Sequence, residues 1–465
     1  MPKSMVFISV AIYFVKYQYL IGKKLEEKGV NVSYVTYSKE AANFLKKRGA
    51  RVSYIPDAIK RYKLRAPIEK YLKDIEARYN TNTGLILFGD FDHSQMRRKK
   101  AFKAMVKNFM FWEDYFKRNK VDFVLGSAER FVGMIPDIVC KKNKIRYYMW
   151  TRSTIENKYV LTQCAKDGHW SVLNDYWEKN KNRKLTSKEK AEAQKIVDSI
   201  TKKKKTLYLV IGTPKIKLRE ILFFFKRLFL NIFVERFRNP YARVIGIAWD
   251  KTKKAFRKYL VKFMYKKPDL NEKYFFYPLH LDDDAQIILR APQYADQVPL
   301  IRYIVNSIPS GYKLYVKEHP NNIGGMLINR LRKIKKTPGV KLISPYFPSH
   351  DLTRNSAGII TINSTVGWEG MLYQKPVIAF GTCFYDISGM IWKVRDMYEL
   401  PAIIRTALKE KLVDKEKLLR FVNAVTKSDY PGNFNFYYQY AKKSMVDENI
   451  SQMADGIYKE LNKKY

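Results

Sequence analysis

The sequence predicts an α/β protein with two domains, each built on a parallel sheet flanked by helices. Short β-branched or aromatic segments alternate with amphipathic segments near the start of the chain, and the same alternation returns after residue 270. Repeated β-α-β order implies parallel strands joined by right-handed crossovers. With 465 residues, 46% of them hydrophobic, the chain is long enough for two such cores and too apolar for general disorder.

The first strands are predicted at MVFISV, VNVSYVTY and ARVSYIP, and the two helices between them each end at a glycine. Ser38 is the expected N-cap of the second helix. A further helix, strand, helix and strand follow between residues 105 and 150. We interpret the N-terminal run MVFISVAIYFV as a strand and not as a signal peptide, because Lys16 interrupts it and no small-residue cleavage site follows.

These patterns divide the chain into four parts. Residues 1–200 form an N-terminal Rossmann-like domain, and residues 201–270 form a basic, aromatic connector. Residues 271–430 form a C-terminal Rossmann-like domain, where sharp loops separate the elements. Residues 431–465 form a helical end that could pack back on the first domain.

The connector is the most basic part of the chain, with 20 Lys and Arg residues against 4 Asp and Glu. Within it, residues 216–237 predict an amphipathic helix with one polar side and one side of Leu and Phe. Its polar residues fall on one side: Glu220, Arg227, Asn231 and Glu235. Such a helix suits an anionic membrane surface. The alternative is a helix packed between domains, with its lysines simply in solvent.

The formal net charge of +44 makes nucleic acid, anionic lipid and an acidic polymer candidate partners, although a Lys-rich proteome would also raise the charge. Because no zinc-finger or RRM signature occurs, we expect no nucleic-acid partner. No uncharged apolar run approaches the roughly 20 residues of a membrane span. The three cysteines (Cys140, Cys164 and Cys383) are widely spaced, which predicts reduced cytosolic thiols.

The stretch from Val316 to Gly389 carries the strongest functional signal. A strand, GIITIN, leads into the turn STVGWEG at a helix start, where free backbone N–H groups and the helix dipole suit a phosphate. Ser364 and Thr365 add hydroxyls, Gly367 permits close backbone approach, and Glu369 follows on the next turn. The alternative is a plain N-cap, with Glu369 only answering the helix dipole.

The motif VKEHP adds positive charge to this region. His319 stands at a strand end, before Pro320, and could donate a hydrogen bond to a phosphate or leaving group. Lys317 adds a cation, while strand alternation turns Glu318 away. Ligands of α/β sheets collect at such strand ends, so the two motifs together outline a nucleotide-sugar site and make a glycosyltransferase the leading hypothesis.

Acidic residues occur in three further places. Asp282, Asp283 and Asp284 could bind a metal, but neighbouring carboxylates on an extended chain point to opposite sides, so no metal site is expected, and a capping turn is the alternative. Glu129 follows the strand VDFVL and is a candidate base for an acceptor hydroxyl. Glu156 is a weaker candidate base. The loop FGDFDH offers another constellation: Asp90, Asp92 and His93.

The motifs YPLHLDDDAQI, VKEHP and INSTVGWEGMLYQKPVIAFGTCFYDISG, in this order, resemble the bacterial capsule polysaccharide biosynthesis family, which includes β-Kdo glycosyltransferases. The resemblance covers Tyr277 to Gly389. It implies a GT-B fold, in which two Rossmann-like domains face a cleft, the C-terminal one holds most of the nucleotide sugar, and no metal is required. In the Kdo transferases the donor is a CMP-sugar.

The resemblance also implies roles for single residues. The family's HP histidine corresponds to His319, and its donor-phosphate turn corresponds to Ser364 and Thr365. An acidic residue soon after a glutamine-containing strand is thought central to transfer in the family. Here His280 stands where that glutamine is expected, and Asp284 is the favoured acid of the aspartates that follow.

We therefore predict a cytoplasmic glycosyltransferase, peripheral to the inner face of the plasma membrane through its basic residues 202–267. It would move a sugar from a nucleotide-sugar donor, with CMP-Kdo as one candidate, to a lipid-linked or growing surface polysaccharide, with no cofactor besides the donor. The predicted catalytic residues are Asp284, Glu129 and His319. The predicted donor-binding residues are Lys317, His319, Pro320, Ser364, Thr365, Gly367 and Glu369.

Two alternatives remain open at this stage. Teichoic-acid glycerophosphotransferases, which use a CDP-activated donor, resemble the same pattern through an HP element, a Ser-containing turn and a KP strand. A non-catalytic membrane scaffold of polysaccharide assembly, with a decayed site, would bind no nucleotide.

Overall fold

The computed structural model describes residues 3–163, 168–202, 218–234, 239–241, 244–281, 284–434 and 445–463. Two sheets form its frame, and each has apolar side chains packed on both of its faces. In the first sheet, Met5 and Phe7 enter one core while Val6 and Ile8 enter the other. This alternation is what a strand covered on both sides requires.

The first sheet has the strand order β13-β6-β5-β4-β1-β2-β3. Its strands are β1 (Ser4–Ser9), β2 (Asn31–Thr36), β3 (Val52–Tyr54), β4 (Phe123–Gly126), β5 (Arg146–Arg152), β6 (Lys158–Gln163) and β13 (Tyr430–Pro431). From β5 to β3 the neighbouring strands are parallel. Strand β6 is antiparallel to β5, and β13 is antiparallel to β6.

The second sheet has the order β12-β11-β10-β7-β8-β9, and its neighbouring strands run parallel. Its strands are β7 (Tyr274–Pro278), β8 (Lys313–Lys317), β9 (Val340–Ile343), β10 (Gly358–Thr361), β11 (Val377–Ala379) and β12 (Trp392–Lys393). The two sheets, made mainly of parallel strands and flanked by helices, confirm the predicted α/β fold class with two Rossmann-like sheets.

The helices fall into three groups along the chain. The first group is α1 (Ile12–Glu27), α2 (Lys39–Lys46), α3 (Ile55–Ala58), α4 (Ile68–Tyr79), α5 (Thr83–Phe88), α6 (Phe91–Ser94), α7 (Arg98–Arg118) and α8 (Arg130–Lys142). The second is α9 (Ser171–Asn180), α10 (Ser187–Thr201), α11 (Leu218–Phe229) and α12 (Val244–Val261). The third is α13 (Ala285–Ile288), α14 (Gln297–Ser307), α15 (Ile328–Lys335), α16 (Ser349–Asn355), α17 (Thr365–Leu372), α18 (Leu400–Lys409), α19 (Lys415–Ser428) and α20 (Asp447–Asn462).

The first crossover shows how local sequence sets these limits. Strand β1 ends at Ser9 and α1 already begins at Ile12, so the run MVFISVAIYFV is a strand followed by a helix start, not one strand. The Ser38 side chain accepts a hydrogen bond from the Ala41 N–H at 3.2 Å, as predicted for the N-cap of α2.

The chain passes between the two sheets more than once. Helices α9 and α10, which lie in the segment predicted as the first domain, pack against α19 and α17, and their apolar residues enter a core of the second sheet. Two elements that follow the second sheet in the chain belong to the first sheet. Strand β13 pairs in that sheet, and α20 packs against α1 in one of its cores.

Candidate functional site

Three loops meet at the carboxyl edge of the second sheet. Strand β7 lies between β8 and β10. The loops after these three strands carry His280, His319 and Ser364 respectively. Strands β8 and β9 lie on one side of β7, and β10, β11 and β12 lie on the other. The strand order therefore changes direction at β7, and open α/β sheets have their ligand crevice at such a point. The structure thus brings the two predicted motifs together around His280.

His280 occupies the middle of this edge with an unsatisfied nitrogen. Gln297 holds its backbone from both sides, since the Gln297 Oε1 accepts from the His280 N–H and the Gln297 Nε2 donates to the His280 carbonyl, each at 3.1 Å. The imidazole Nε2 is buried and has no hydrogen-bond partner among the described residues. Burial, together with the nearby charge of His319, lowers the pKa of His280 to about 4. The ring is therefore neutral at pH 7.

Lys317 adds a buried cation, whose charge acts on His319. Its ammonium donates to the Ser349 Oγ at 3.0 Å, and the side chain is 4% exposed. Burial lowers the pKa of Lys317 to about 8, while the Glu369 carboxylate acts in the opposite direction. Glu318 points the other way and bonds to the Tyr265 hydroxyl, as strand alternation predicts. The edge therefore presents positive charge without the intervening carboxylate.

His319 follows directly, and Pro320 begins a short 3-10 turn that ends the strand region. Burial lowers the pKa of His319, and the charges of Lys317 and Lys254 lower it further. Lys254 belongs to α12, so the connector reaches this site. Lys254 is not predicted by the sequence, because nothing local links a connector helix to the HP turn.

Helix α12 approaches the turn very closely. Arg257 donates from Nη1 to the Gly325 carbonyl at 2.9 Å. A Cβ placed on Gly324 would lie 2.2 Å from the Lys254 carbonyl oxygen and 2.6 Å from the Lys258 nitrogen. With a φ of +78°, Gly324 also has a backbone conformation that side chains disfavour. Glycine at this position therefore allows the connector helix to touch the turn after His319.

The helix start at which a phosphate is predicted has the expected cap, and its glycine makes room for an aromatic ring. Ser364 caps α17 by accepting from the Val366 N–H at 3.2 Å. The Gly367 N–H donates to the Ser364 carbonyl at 3.0 Å, and a Cβ on Gly367 would lie 2.2 Å from the Tyr385 hydroxyl oxygen. The Tyr385 ring occupies the space that a side chain at Gly367 would need, and the binding of a phosphate at this glycine stays a prediction. The exposed Thr365 and the half-buried Ser364 remain at the helix start.

Glu369 lies one turn into α17, and its carboxylate is directed towards His350 and Lys317. Its Oε2 is 3.9 Å from the Nδ1 of the buried His350, and its charge acts on Lys317. Asn363, directly before the turn, donates from Nδ2 to the Gln286 carbonyl at 2.8 Å. Its Oδ1 is buried and has no hydrogen-bond partner within the described ranges. It is a second orphaned polar atom at this edge.

Asp284 acts as a cap. Its Oδ1 accepts from the Gln286 N–H at 3.0 Å at the start of α13. Asp282 and Asp283 lie outside the described residues. In the part of the chain that is described, no group of three or more His, Cys, Asp or Glu residues is placed to hold a metal ion.

The candidate bases of the first half lie at two different places. Glu129 is exposed and stands at the carboxyl end of β4, immediately before α8. Glu156 is exposed in the turn between β5 and β6. Asp90 and His93 are both buried. Asp90 accepts a hydrogen bond from the Phe131 N–H at 2.8 Å, which places the two residues at the sheet edge where Glu129 lies.

Helices α11 and α12 present an exposed apolar face. Two residues of the side predicted as polar face the protein, since Arg227 lies 3.8 Å from Glu40 of α2 and Asn231 is buried. The side chain of Glu220 and the whole of Glu235 lie outside the described residues. Nine apolar side chains of these helices and of the short helical segments that directly follow them are 56% to 72% exposed. These side chains are Leu222, Phe225, Phe229, Phe233, Ile245, Trp249, Phe256, Tyr259 and Phe263.

Lysines line the exposed apolar face. The Lys253 ammonium lies 5.7 Å from the Trp249 ring, and the Lys262 ammonium lies 4.3 Å from the Tyr259 ring. Within the described residues, no helix combines the length and apolar character needed to cross a bilayer.

Comparison with known proteins gives a family match in the second half. The family model described as "Capsule polysaccharide biosynthesis protein" matches residues 223–398. Protein FixF of Sinorhizobium fredii is 30% identical over 156 residues, 33% of this chain and 37% of FixF. The capsule polysaccharide export protein KpsS of Escherichia coli is 28% identical over 133 residues, 27% of this chain and 34% of KpsS.

A third relative is the capsule polysaccharide modification protein LipB of Neisseria meningitidis, 29% identical over 129 residues, 25% of this chain and 30% of LipB. The chain spans about a third of the length of the curated relatives it matches. Among solved structures, the β-Kdo 2,4 transferase KpsC of Thermosulfurimonas dismutans is similar with a TM-score of 0.38 and 14% identity, covering 65% of this chain and 79% of that one. Its β-Kdo 2,7 transferase gives 0.36 and 12%, covering 67% and 88%.

Proposed function

We propose that the chain is a member of the capsule polysaccharide biosynthesis family, whose model matches residues 223–398, and that it is a glycosyltransferase of surface-polysaccharide assembly. It would take a sugar from a nucleotide-sugar donor, with CMP-Kdo as one candidate. The acceptor would be a lipid-linked or growing polysaccharide. The observation that carries the proposal is the orphaned His280 Nε2 among Lys317, His319 and the start of α17.

The charges and donors of this edge suit a phosphate. Buried cations and hydrogen-bond donors act strongly where water is excluded, and they favour the charge that develops on a leaving group. The donor phosphate would lie between the hydroxyls of Ser364 and Thr365 on one side and Lys317 and His319 on the other. A neutral His280 could then give or accept one hydrogen bond, depending on its tautomer.

Thermal stabilisation by nucleotides tests this proposal and separates it from its alternatives. The purified protein is heated with CMP, CDP, UDP, GDP or ADP, with and without Mg²⁺. Stabilisation by CMP that is indifferent to Mg²⁺ supports a CMP-sugar donor. Stabilisation by CDP favours glycerophosphate transfer, and UDP or GDP favours a hexosyltransferase. If no nucleotide raises the melting temperature, a non-catalytic scaffold is favoured.

The double substitution Ser364→Ala with Thr365→Ala tests the place of binding. We expect the stabilisation by the best nucleotide to fall by more than half, because two hydroxyls beside the phosphate are lost. The loss of a helix cap alone costs about 1 kcal/mol. Ser38→Ala is the matched control, since it removes the cap of α2 far from this edge. Equal nucleotide stabilisation in the double variant and the control would contradict the phosphate site.

We also propose that the protein lies on an anionic membrane surface through the exposed apolar face and its lysines. Large exposed apolar patches mark interaction surfaces, and a basic, aromatic helix is of the kind that lies in a bilayer interface. Apolar side chains such as Phe225 and Trp249 point outward together with lysines, while Arg227 and Asn231 turn towards the protein. Helix α12 would bring the second sheet's edge close to a lipid-linked acceptor.

Sedimentation with phosphatidylglycerol vesicles tests the membrane proposal. Trp249→Glu with Phe256→Glu places two carboxylates in the apolar face, and we expect the bound fraction to fall at least tenfold. Tyr398→Glu is the control, because Tyr398 is 88% exposed but lies outside α11 and α12. Nucleotide stabilisation should not change in either protein. Vesicle binding equal to the control would contradict the proposal.

A further inference from the structure

A buried histidine–aspartate pair lies at the carboxyl edge of the first sheet, apart from the proposed donor site. Asp90 is wholly buried, and its Oδ2 lies 2.8 Å from the His93 Nδ1. The same oxygen accepts from the Phe131 N–H at 2.8 Å and from the Tyr241 hydroxyl at 3.1 Å. The Asp90 Oδ1 accepts from the His93 N–H at 2.9 Å. Nearly every contact around Asp90 therefore helps to fix the histidine.

The ring of His93 has a single orientation. It stacks on Phe131 with 4.1 Å between ring centres, and Tyr241 meets it edge-on at 5.6 Å. Because Nδ1 faces a carboxylate, the stable neutral tautomer carries its proton on Nδ1 and leaves Nε2 as an acceptor. His93 makes no hydrogen bond through Nε2 to the described residues, and this nitrogen is not sealed from solvent.

The backbone beside this pair is strained. Arg130, at the start of α8, has a φ of +63°, which is unusual for a residue with a side chain. It stands directly before Phe131, whose N–H points at Asp90. Its guanidinium lies 3.3 Å from Asp92 and 5.4 Å from the Tyr241 ring. Strain of this kind persists where the surroundings enforce it, and such sites are often functional.

The apolar cluster beside the pair also contacts the second domain. Leu289, just after α13, and Tyr241 of the connector both pack against the apolar cluster that holds Phe131. Helix α13 is tied to the donor turn, because the Gln286 carbonyl accepts from Asn363 at 2.8 Å. One short helix thus separates the first-sheet edge from the proposed donor site. A ligand between the two edges would have His93 on its acceptor side.

We propose that His93 is the general base that accepts the proton of the acceptor hydroxyl, with Asp90 as its positioning residue; this inference rests on the proposed glycosyltransferase function. As the acceptor oxygen bonds to the anomeric carbon, its proton passes to the His93 Nε2. The bond from that carbon to the phosphate oxygen breaks, and its electron pair leaves with the nucleotide. Asp90 stabilises the imidazolium, which then releases its proton to solvent.

Nitrogen-15 NMR of histidine-labelled protein tests the tautomer without any substrate. The chain has five histidines, so comparison with His93→Gln assigns the signals. We expect the proton on Nδ1 in the native protein, and a shift of the population towards the Nε2-protonated form in Asp90→Asn, where an amide replaces the carboxylate. A proton resident on Nε2 in the native protein would overturn the assignment.

Transfer itself is measured as nucleotide release from the matching nucleotide sugar, with a lipid extract of the source cells as acceptor. We expect His93→Gln to slow release at least 100-fold, the lower range for a general base, while nucleotide stabilisation stays unchanged. His169→Gln is the matched control, since it removes another histidine–aspartate pair, with Asp386 at 2.8 Å, and should transfer within a few-fold of native.

The two proposals fail in distinguishable ways. If no nucleotide stabilises the native protein, the proposed function fails. If a nucleotide binds and the His93→Gln protein transfers at the native rate, only the role of His93 fails. Should His93→Gln not fold, the signals that change in Asp90→Asn identify His93, and the NMR result on the native protein still decides the tautomer.

Discussion

At the scale of single residues, the proposed donor site depends on polar atoms that the fold buries without satisfying. Buried polar groups are nearly always hydrogen-bonded, so exceptions call for an explanation. The His280 Nε2 and the Asn363 Oδ1 are both exceptions within the described residues. Both lie in loops that follow adjacent strands, β7 and β10. A ligand that bonds to them would recover free energy that the protein gives up on folding.

The depressed pKa of His280 makes a prediction about acid stability. Burial holds the pKa of the folded protein at about 4, below the ordinary 6.5. Between these values the unfolded chain binds a proton that the folded protein does not, so the free energy of unfolding falls as the pH falls from 6.5 towards 4. At 1.4 kcal/mol per unit, this residue accounts for up to about 3 kcal/mol.

In His280→Gln this share of the acid destabilisation should disappear, because glutamine does not titrate. Urea unfolding of both proteins at pH 7 and pH 4.5 measures the difference. We expect the native protein to lose more stability than the variant over this interval. An equal loss in the two proteins would mean that His280 is not held neutral.

The sequence indicated those site residues whose signal is local. Ser364 and Ser38 stand as caps directly before helices, and VKEHP stands at the end of a strand. Lys254 could not be found in this way, since it reaches the site from a distant part of the chain. The sequence suggested that Gly367 makes room, but it could not show that an aromatic ring takes that room.

At the scale of elements, the start of α17 depends on the loop after β11. The Tyr385 hydroxyl donates to the Ser364 carbonyl at 2.6 Å, and its ring lies against Gly367. Gly367→Ala would bring a Cβ within 2.2 Å of the Tyr385 oxygen and 2.8 Å of its Cζ. We expect a loss of about 1–3 kcal/mol, the usual range for overpacking.

A double-mutant cycle with Tyr385→Phe checks this contact. Removing the hydroxyl costs a hydrogen bond on its own, but it also relieves the nearest clash in Gly367→Ala. The double variant should therefore be more stable than the sum of the single losses by at least 0.5 kcal/mol. Urea unfolding of the four proteins gives the cycle. Additive losses would show that the two residues do not press on each other.

Helix α12 combines two roles that its sequence does not separate. Its apolar side chains Trp249 and Phe256 point outward, while Lys254 and Arg257 meet the turn after His319. The sequence predicted a membrane-facing helix at residues 216–237, and the exposed apolar face continues into α12. Which side of a helix faces the protein depends on distant partners, so periodicity alone could not assign it.

At the scale of the whole molecule, the connections hold the two sheets together. The fold class followed from the alternation of strands and helices, because that pattern is local. The placement of α9 and α10 beneath the second sheet did not follow, since the charged surface of these helices hides the few residues they bury, such as Trp177 and Val197. The stacking of Trp170 on Phe384, with 4.0 Å between ring centres, strengthens this crossing.

The crossings also set where a ligand could lie. His169 bonds to Asp386 at 2.8 Å, so the segment after β6 lies against the second domain. Leu289 lies against the first. The sheet edges that carry His280 and His93 therefore belong to two halves that contact each other. The donor and acceptor sides would meet between these halves.

The proposed function depends most on a donor phosphate at the junction of β7, β8 and β10. A crystal structure of the protein with the nucleotide that stabilises it most tests this directly. We predict the phosphate between Ser364 and His319, with a hydrogen bond from the ligand to the His280 Nε2. A nucleotide bound elsewhere, with this edge unchanged, would contradict the account.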